Sequence, residues 1–254
     1  MTLTHAALAF GSAFAAGMIN AVAGGGTLVS FPTLIWLRLS PVVANATSTV
    51  AIWPATLGGM FGYRRELRTV ELALLALIVP SLLGGIAGAL LLRFTPPYIF
   101  EILVPYLILF ATVLFAIQEP VQRFLKPAAH PSHRSTRWLA GAMIFQLFVG
   151  LYGGYFGAGI GILMLAALSI LGMSDIHQMN GLKNFFGMCI NGVAAVYFIW
   201  AQMVYWPDVI VMAIGAVAGG YGGAGIARRI GRVAVRRIVI VIGFGMALSL
   251  FLKR

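Results

Sequence analysis

Acidic residues are scarce in this chain of 254: six Asp and Glu stand against 17 Lys and Arg. Charge of either sign is itself thin, at 9% of residues, and 61% are hydrophobic; a soluble globular domain carries roughly 25% charged residues. With a mean hydropathy of +0.97, a water-soluble fold is excluded. The net charge of +11 would point to nucleic acid in a soluble protein. Here the arginines gather in short loops between apolar stretches and form no stripe interleaved with stacking aromatics, which argues against nucleic acid and for a lipid bilayer. The single cysteine, Cys189, rules out an intrachain disulfide and a multi-cysteine metal site. It sits in an apolar segment and reads as a small packing residue. The four histidines, at 5, 130, 133 and 177, fall in no metal-ligand spacing with an intramembrane partner. No nucleophile stands beside a base in the sequence. Neither a metal, a cofactor nor catalysis is therefore expected, and His177 reads as an interfacial histidine. The start, MTLTHAALAF, has no basic stretch before its apolar run, so no cleavable leader is expected.

Apolar segments run over 6–22, 27–37, 44–62, 71–92, 98–117, 138–155, 160–172, 180–200, 208–227 and 237–252. Crossing ~30 Å of hydrocarbon takes roughly 20 residues of helix. The segments at 71–92, 98–117, 180–200 and 208–227 meet that length, whereas 27–37 and 160–172 do not. Each short segment follows a glycine cluster, Gly24-Gly25-Gly26 in one case and Gly157-Ala158-Gly159-Ile160-Gly161 in the other. These are expected to be broken or re-entrant elements, tolerated only where protein or a water-filled cavity surrounds the backbone. Four of the five tryptophans, Trp36, Trp138, Trp200 and Trp206, stand at segment ends as an interfacial belt would place them. Trp53, mid-segment, is expected to pack between helices.

A polar interval, 118–137, divides the chain almost in half. A shift of 135 residues lays Gly24 on Gly159, Gly26 on Gly161, Asn45 on Asn180, Gly84 and Gly85 on Gly219 and Gly220, Gly88 on Gly223 and Arg93 on Arg228. One constant offset carrying Asn and Arg as well as glycine marks a tandem duplication. The expected organisation is a first membrane repeat over 1–117, a cytoplasmic linker over 118–137 and a second repeat over 138–254.

Equivalent loops differ in charge. Arg64, Arg65 and Arg68 lie in 63–70, whose counterpart 201–207 has no basic residue, while 93–97 holds only Arg93 against Arg228, Arg229, Arg232, Arg236 and Arg237 in 228–237. Short cytoplasmic loops carry the basic excess. Placing 63–70, the linker and 228–237 on that side mounts the halves upside down relative to each other. The expected fold is an all-α polytopic membrane protein of two inverted-topology repeats, each with a glycine-broken half-helix in a re-entrant hairpin and three crossings.

Inverted halves with interrupted helices are the setting in which secondary transporters build a midplane site. A half-helix starting near Thr27 or Ile160 presents unpaired N–H groups and a partial positive charge, which suits an anion. Gly24, Gly25, Gly26, Gly157, Gly159 and Gly161 are expected to shape the breaks. Asn45, Thr47 and Ser48 follow the first half-helix, and Asn180, Lys183 and Asn184 follow the second; these six are the candidate substrate ligands. The offset sets Ser48 on Lys183, and helical spacing puts Asn45 with Ser48, and Asn180 with Lys183 and Asn184, on one face each. A lysine inside a membrane is costly and marks function unless it snorkels. The six carboxylates, Glu66, Glu71, Glu101, Glu119, Asp175 and Asp208, all lie in or near loops. A site built from donors and positive potential, without an acid, selects an oxyanion.

The stretches GMINAVAGGGTLVSFPTLIWLRLSPVVANATST and GLYGGYFGAGIGILMLAALSILGMSDIHQMNGLKNFFG resemble the TauE/SafE family of membrane permeases, the sulfite exporters, and the likeness runs over nearly the whole chain. It departs where Pro32 has Ala167 and Ala46 has Gly181 as counterparts, and neither change removes a donor. The resemblance implies a multi-pass protein of the bacterial inner (plasma) membrane that moves sulfite, sulfoacetate or a related sulfonate, a transport commonly proposed to be coupled to protons, though the coupling ion is not legible in the sequence. The expected function is alternating-access transport of such an anion; a passive anion channel and an intramembrane enzyme are the rival readings. Oligomeric state, the direction of transport and the anion itself are not legible in the sequence.

Overall fold

The computed structural model describes residues 2–22, 25–62, 67, 72–124, 136–171, 173, 175–221 and 232–252. Among these the regular structure is entirely helical: α1 (Leu3–Val22), α2 (Thr27–Trp36), α3 (Pro41–Gly62), α4 (Leu72–Leu75), α5 (Ile78–Phe94), α6 (Pro97–Phe124), α7 (Thr136–Tyr155), α8 (Ile160–Ile170), α9 (Ile176–Trp200), α10 (Trp206–Tyr221) and α11 (Arg232–Leu252). Two stretches, Pro97–Ile117 and His177–Trp200, are long and apolar enough to cross a membrane, and shorter apolar helices surround them, consistent with a polytopic membrane protein. The expected crossing at 208–227 is helical to Tyr221 and then leaves the described residues.

Local chemistry explains the boundaries. Pro41 and Pro97 each open a helix, where the missing N–H has no partner to lose. Asp175 caps α9 by accepting from the amides of His177 (2.8 Å) and Gln178 (3.4 Å). The expected single segment 71–92 is instead broken by a turn at 76–77. Pro80 has no N–H to give the Ala76 carbonyl, so a continuous helix could not hold its ladder there, and α5 restarts at Ile78. The polar interval is shorter than its composition predicts, because α6 continues to Phe124 and α7 begins at Thr136.

Helix directions follow from which residues meet. Along the α1/α10 seam His5 reaches Asp208, and methyl groups added at Gly215 and Gly219 would meet the Phe10 and Phe14 carbonyls, so the two helices run parallel. Along α5/α7, Ser81 meets Gln146, and methyls on Gly84 and Gly88 would meet the Leu147 and Leu151 carbonyls, again parallel. Gly84 and Gly219, counterparts at the 135-residue offset, thus allow the same close approach in the two seams. Between α6 and α11, Tyr106 meets Phe251 edge-on (5.1 Å between centroids) while Gly243 lies over Thr112, an antiparallel pairing.

Exchanging α1 with α7, α2 with α8, α3 with α9, α5 with α10 and α6 with α11 turns one set of seams into the other: α1/α10 becomes α7/α5, α3/α10 becomes α9/α5, and α2/α11 becomes α8/α6. The pairs α3/α9 and α6/α11 join helices to their own counterparts. At the first of these, the Trp53 indole Nε1 donates to the Met188 carbonyl at 3.1 Å, two positions 135 residues apart. Trp53 therefore packs between helices as expected, lying over Gly192. Trp36, Trp200 and Trp206 are exposed at helix ends, as an interfacial belt requires; the Trp138 side chain lies outside those described, as do Arg64, Arg65, Arg68, Arg228, Arg229 and residues 125–135 of the linker.

Candidate functional site

Each glycine cluster ends one helix and starts a short one. Gly25 (φ 93°) and Gly159 (φ 79°) hold left-handed backbone that strains any other residue. Gly157 is also left-handed (φ 76°), and Gly24 lies outside the described residues. After the first break the chain doubles back. Gly26 lies against the Ala16 carbonyl, and its amide donates to Asn20 Oδ1 at 2.7 Å, so α2 runs beside α1 in the opposite direction. In the second break the Tyr152 hydroxyl reaches the Ala158 carbonyl (2.7 Å) and Gly153 faces Ile160.

The helix starts correct the sequence alignment locally. Thr27 and Ile160, and the left-handed Gly25 and Gly159, stand 133 and 134 residues apart, not 135. The offset is restored by the starts of α3 and α9 at Pro41 and Ile176. Gly159, not Gly161, is the residue before α8, and Gly161 lies within its first turn.

The two breaks approach a common level. Gly25 faces the Phe115 ring and Gly159 faces Ala111, residues one helical turn apart on α6. Phe31 of α2 meets Phe156 of the second break edge-on (5.3 Å), and α3 reaches across to it, with Asn45 Nδ2 donating to the Tyr155 carbonyl at 3.0 Å. That carbonyl sits at the α7 C-terminus, where backbone acceptors need outside donors. Because it demands an N–H, the Asn45 amide cannot be turned over. Asn45 Oδ1 is left buried without a partner.

The remaining first-repeat candidates are held as well. Ser48 shares a 2.8 Å hydrogen bond with Ser30 in α2, and Thr47 Oγ1 accepts from the Tyr205 amide at 3.0 Å. Asn45, Thr47 and Ser48 are all buried, and together they tie α3 to α2, to the second break and to the α9–α10 turn.

In the second repeat, α9 begins at Ile176, four residues before the segment read from hydropathy, so Lys183 lies two turns into the helix and not at its margin. Its aliphatic stem passes over Gly161 in the first turn of α8, and its Nζ donates to Asn180 Oδ1 at 3.1 Å. Asn184 is half-buried on the same helix. Ser48 and Lys183, matched by the offset, therefore occupy equivalent places, each against the first turn of its repeat's short helix.

Sequence reasoning missed four participants. Ser30 and Asn20 carried a signal, each being polar in an apolar stretch. The Tyr155 carbonyl and the Tyr205 amide carried none, since backbone groups leave no mark in composition. The carboxylate side chains described are those of Glu101, Asp175 and Asp208, each near a helix start, while Glu119 falls within α6; among the described residues no cluster of His, Cys, Asp and Glu suits a metal. Asp208 is nonetheless fully buried, not solvated in a loop, because His5 covers it.

The family described as Sulfite exporter TauE/SafE matches residues 9–250. A protein of Haemophilus influenzae named "Probable membrane transporter protein" is 26% identical over 244 residues, covering 94% of this chain and 92% of its own. A Sinorhizobium protein named "Probable membrane transporter protein ORF9" is 23% identical over 96% of this chain and 91% of its own. The Escherichia coli K12 "Probable membrane transporter protein YfcA" is 24% identical over 94% and 86%. No solved structure matches the chain.

Proposed function

The chain belongs to the sulfite exporter TauE/SafE family and is a membrane transporter, and from that premise we propose that it carries a small sulfur-containing oxyanion, such as sulfite or an organosulfonate, by alternating access between two oppositely mounted repeats. The observation that carries this reading is the placement of Lys183 over Gly161. An ammonium beside the N-terminal turn of a helix brings two positive potentials together. Both potentials favour an anion at the same place. Lys183 supplies the charge, the α8 amides and Asn180, with Asn184 beside them, supply hydrogen-bonding groups, and Asn45, Thr47 and Ser48 hold the facing repeat in register.

Opposite mounting is supported by the helix directions. α1 runs with α10; α10 reverses from α9 through the short turn at 201–205; α8 packs against α9 and α7. If the chain doubles back at the second glycine break as at the first, α7 runs against α1, its counterpart. In such a multi-pass protein of the bacterial inner membrane, rocking of one repeat against the other would expose the site to each side in turn, and proton coupling would supply the driving force. The proposal is carriage of the anion without chemical conversion.

A thermal-shift screen of purified protein against sulfite, sulfoacetate, taurine, sulfate and thiosulfate tests the ligand class. A bound anion raises the melting temperature through mass action, and a flat response to all five contradicts the proposal. Counterflow in liposomes separates the carrier from a passive anion channel, because substrate on the far side accelerates exchange only through a carrier.

A further inference from the structure

The α1/α10 seam carries an ionisable pair, His5 and Asp208, away from the proposed anion site. His5 Nε2 lies 2.8 Å from Asp208 Oδ1 and 3.0 Å from Oδ2, so the imidazole is held by both carboxylate oxygens. The Asp208 side chain has no solvent exposure and that of His5 has 20%. An ionised carboxylate taken out of water costs several kcal/mol unless a partner compensates. His5 is in the first turn of α1 and Asp208 in the first turn of α10. Because the helices run parallel, their positive ends lie side by side, and the Asp208 carboxylate offsets both.

The surroundings make this a unit on its own. Among the described residues, α1 carries no other titratable side chain, α2 and α3 carry none, and α10 adds only Tyr221 at its opposite end. The turns nearby add Tyr205 and Arg38, both exposed. The counterpart seam, α5/α7, is joined by an uncharged contact, with Gln146 Nε2 donating to Ser81 Oγ at 2.8 Å. Two seams that the repeat makes equivalent therefore differ in that one can gain or lose a proton.

We propose that the His5–Asp208 pair is a proton-binding site that latches the two repeats together along one seam only. With the proton on the imidazole, the contact is a charge-assisted hydrogen bond between opposite charges. Loss of that proton leaves a neutral ring beside a buried carboxylate, which weakens the contact. The seam is then tighter at low pH and looser at high pH, and α5/α7 does not respond.

Spin labels on Leu8 and Ile214, exposed positions of α1 and α10, in a Cys189→Ala background in lipid nanodiscs read the seam directly by pulsed dipolar spectroscopy. Between pH 5 and pH 8.5 the ratio of separated to apposed populations is expected to rise about fivefold, the difference between a charge-assisted and a neutral hydrogen bond. His5→Gln, which keeps a neutral donor of similar reach, is expected to flatten the profile. A distance distribution that does not move with pH in the unsubstituted pair, or a His5→Gln protein that keeps the full response, overturns the proposal. No anion is added, so the outcome is independent of the transported ligand.

Discussion

Lys183 is the residue on which the proposed anion site turns. Its stem is spread over Gly161 and its charge is set two turns inside α9, so removing the charge while keeping the stem isolates the electrostatic contribution. Lys183→Met is expected to weaken sulfite or sulfoacetate binding about tenfold or more, in line with roughly 1.5–3 kcal/mol for a hydrogen bond to a charged group, with the protein still folded in membranes. Calorimetric titration of the two proteins checks it, and equal affinity would remove Lys183 from the site. Asn45 acts on structure instead. Asn45→Leu leaves the Tyr155 carbonyl unpaired and is expected to cost about 1–3 kcal/mol of stability, read as a lower melting temperature. Asn45 and Lys183 were legible in the sequence because each is polar inside an apolar run. Their roles were not: Asn45 is paired with a backbone group 110 residues away, and hydropathy put the start of α9 four residues late, which made Lys183 look marginal.

Helices were the most legible level, since nearly every one lies within a few residues of an apolar segment visible in the composition. The exceptions have physical causes. Pro80 breaks a segment that hydropathy reads as continuous, and the polar ends of α6 and α7 are helical although their composition resembles a linker. The close seams were legible only as glycines at matched positions; which neighbours they admit is a tertiary matter. Two alanine substitutions separate the roles of such glycines. A methyl at Gly219 would run into the Phe14 backbone and force α1 from α10, whereas Gly11 has open space around it. Gly219→Ala is therefore expected to lower the melting temperature, while Gly11→Ala raises stability by about 0.5–1 kcal/mol, the usual gain from replacing a helical glycine. A Gly219→Ala protein as stable as its parent would contradict the tight seam.

At the scale of the whole molecule, helix seams that exchange under the 135-residue offset and the Trp53–Met188 contact are the pairings a duplicated unit would give. The sequence carried the duplication through glycine, Asn and Arg matches, but its constant offset failed at the breaks, where helix starts and left-handed glycines stand one or two residues closer. Backbone reversal there is set by which φ values glycine permits, and alignment by identity does not register it. The charge argument for opposite mounting rests on arginines that lie largely outside the described residues, so the support comes instead from helix directions. Those directions have a consequence for two turns that the repeat makes equivalent, the one at 37–40 and the one leading into α9.

The most direct test places single cysteines at Ser40 and at His177, both exposed, in a Cys189→Ala background, and probes them with a membrane-impermeant thiol reagent in sealed vesicles of known orientation. The account predicts that the two positions are labelled from opposite faces of the bilayer. Labelling of both from the same face would contradict inverted mounting, and with it the alternating-access site between the repeats.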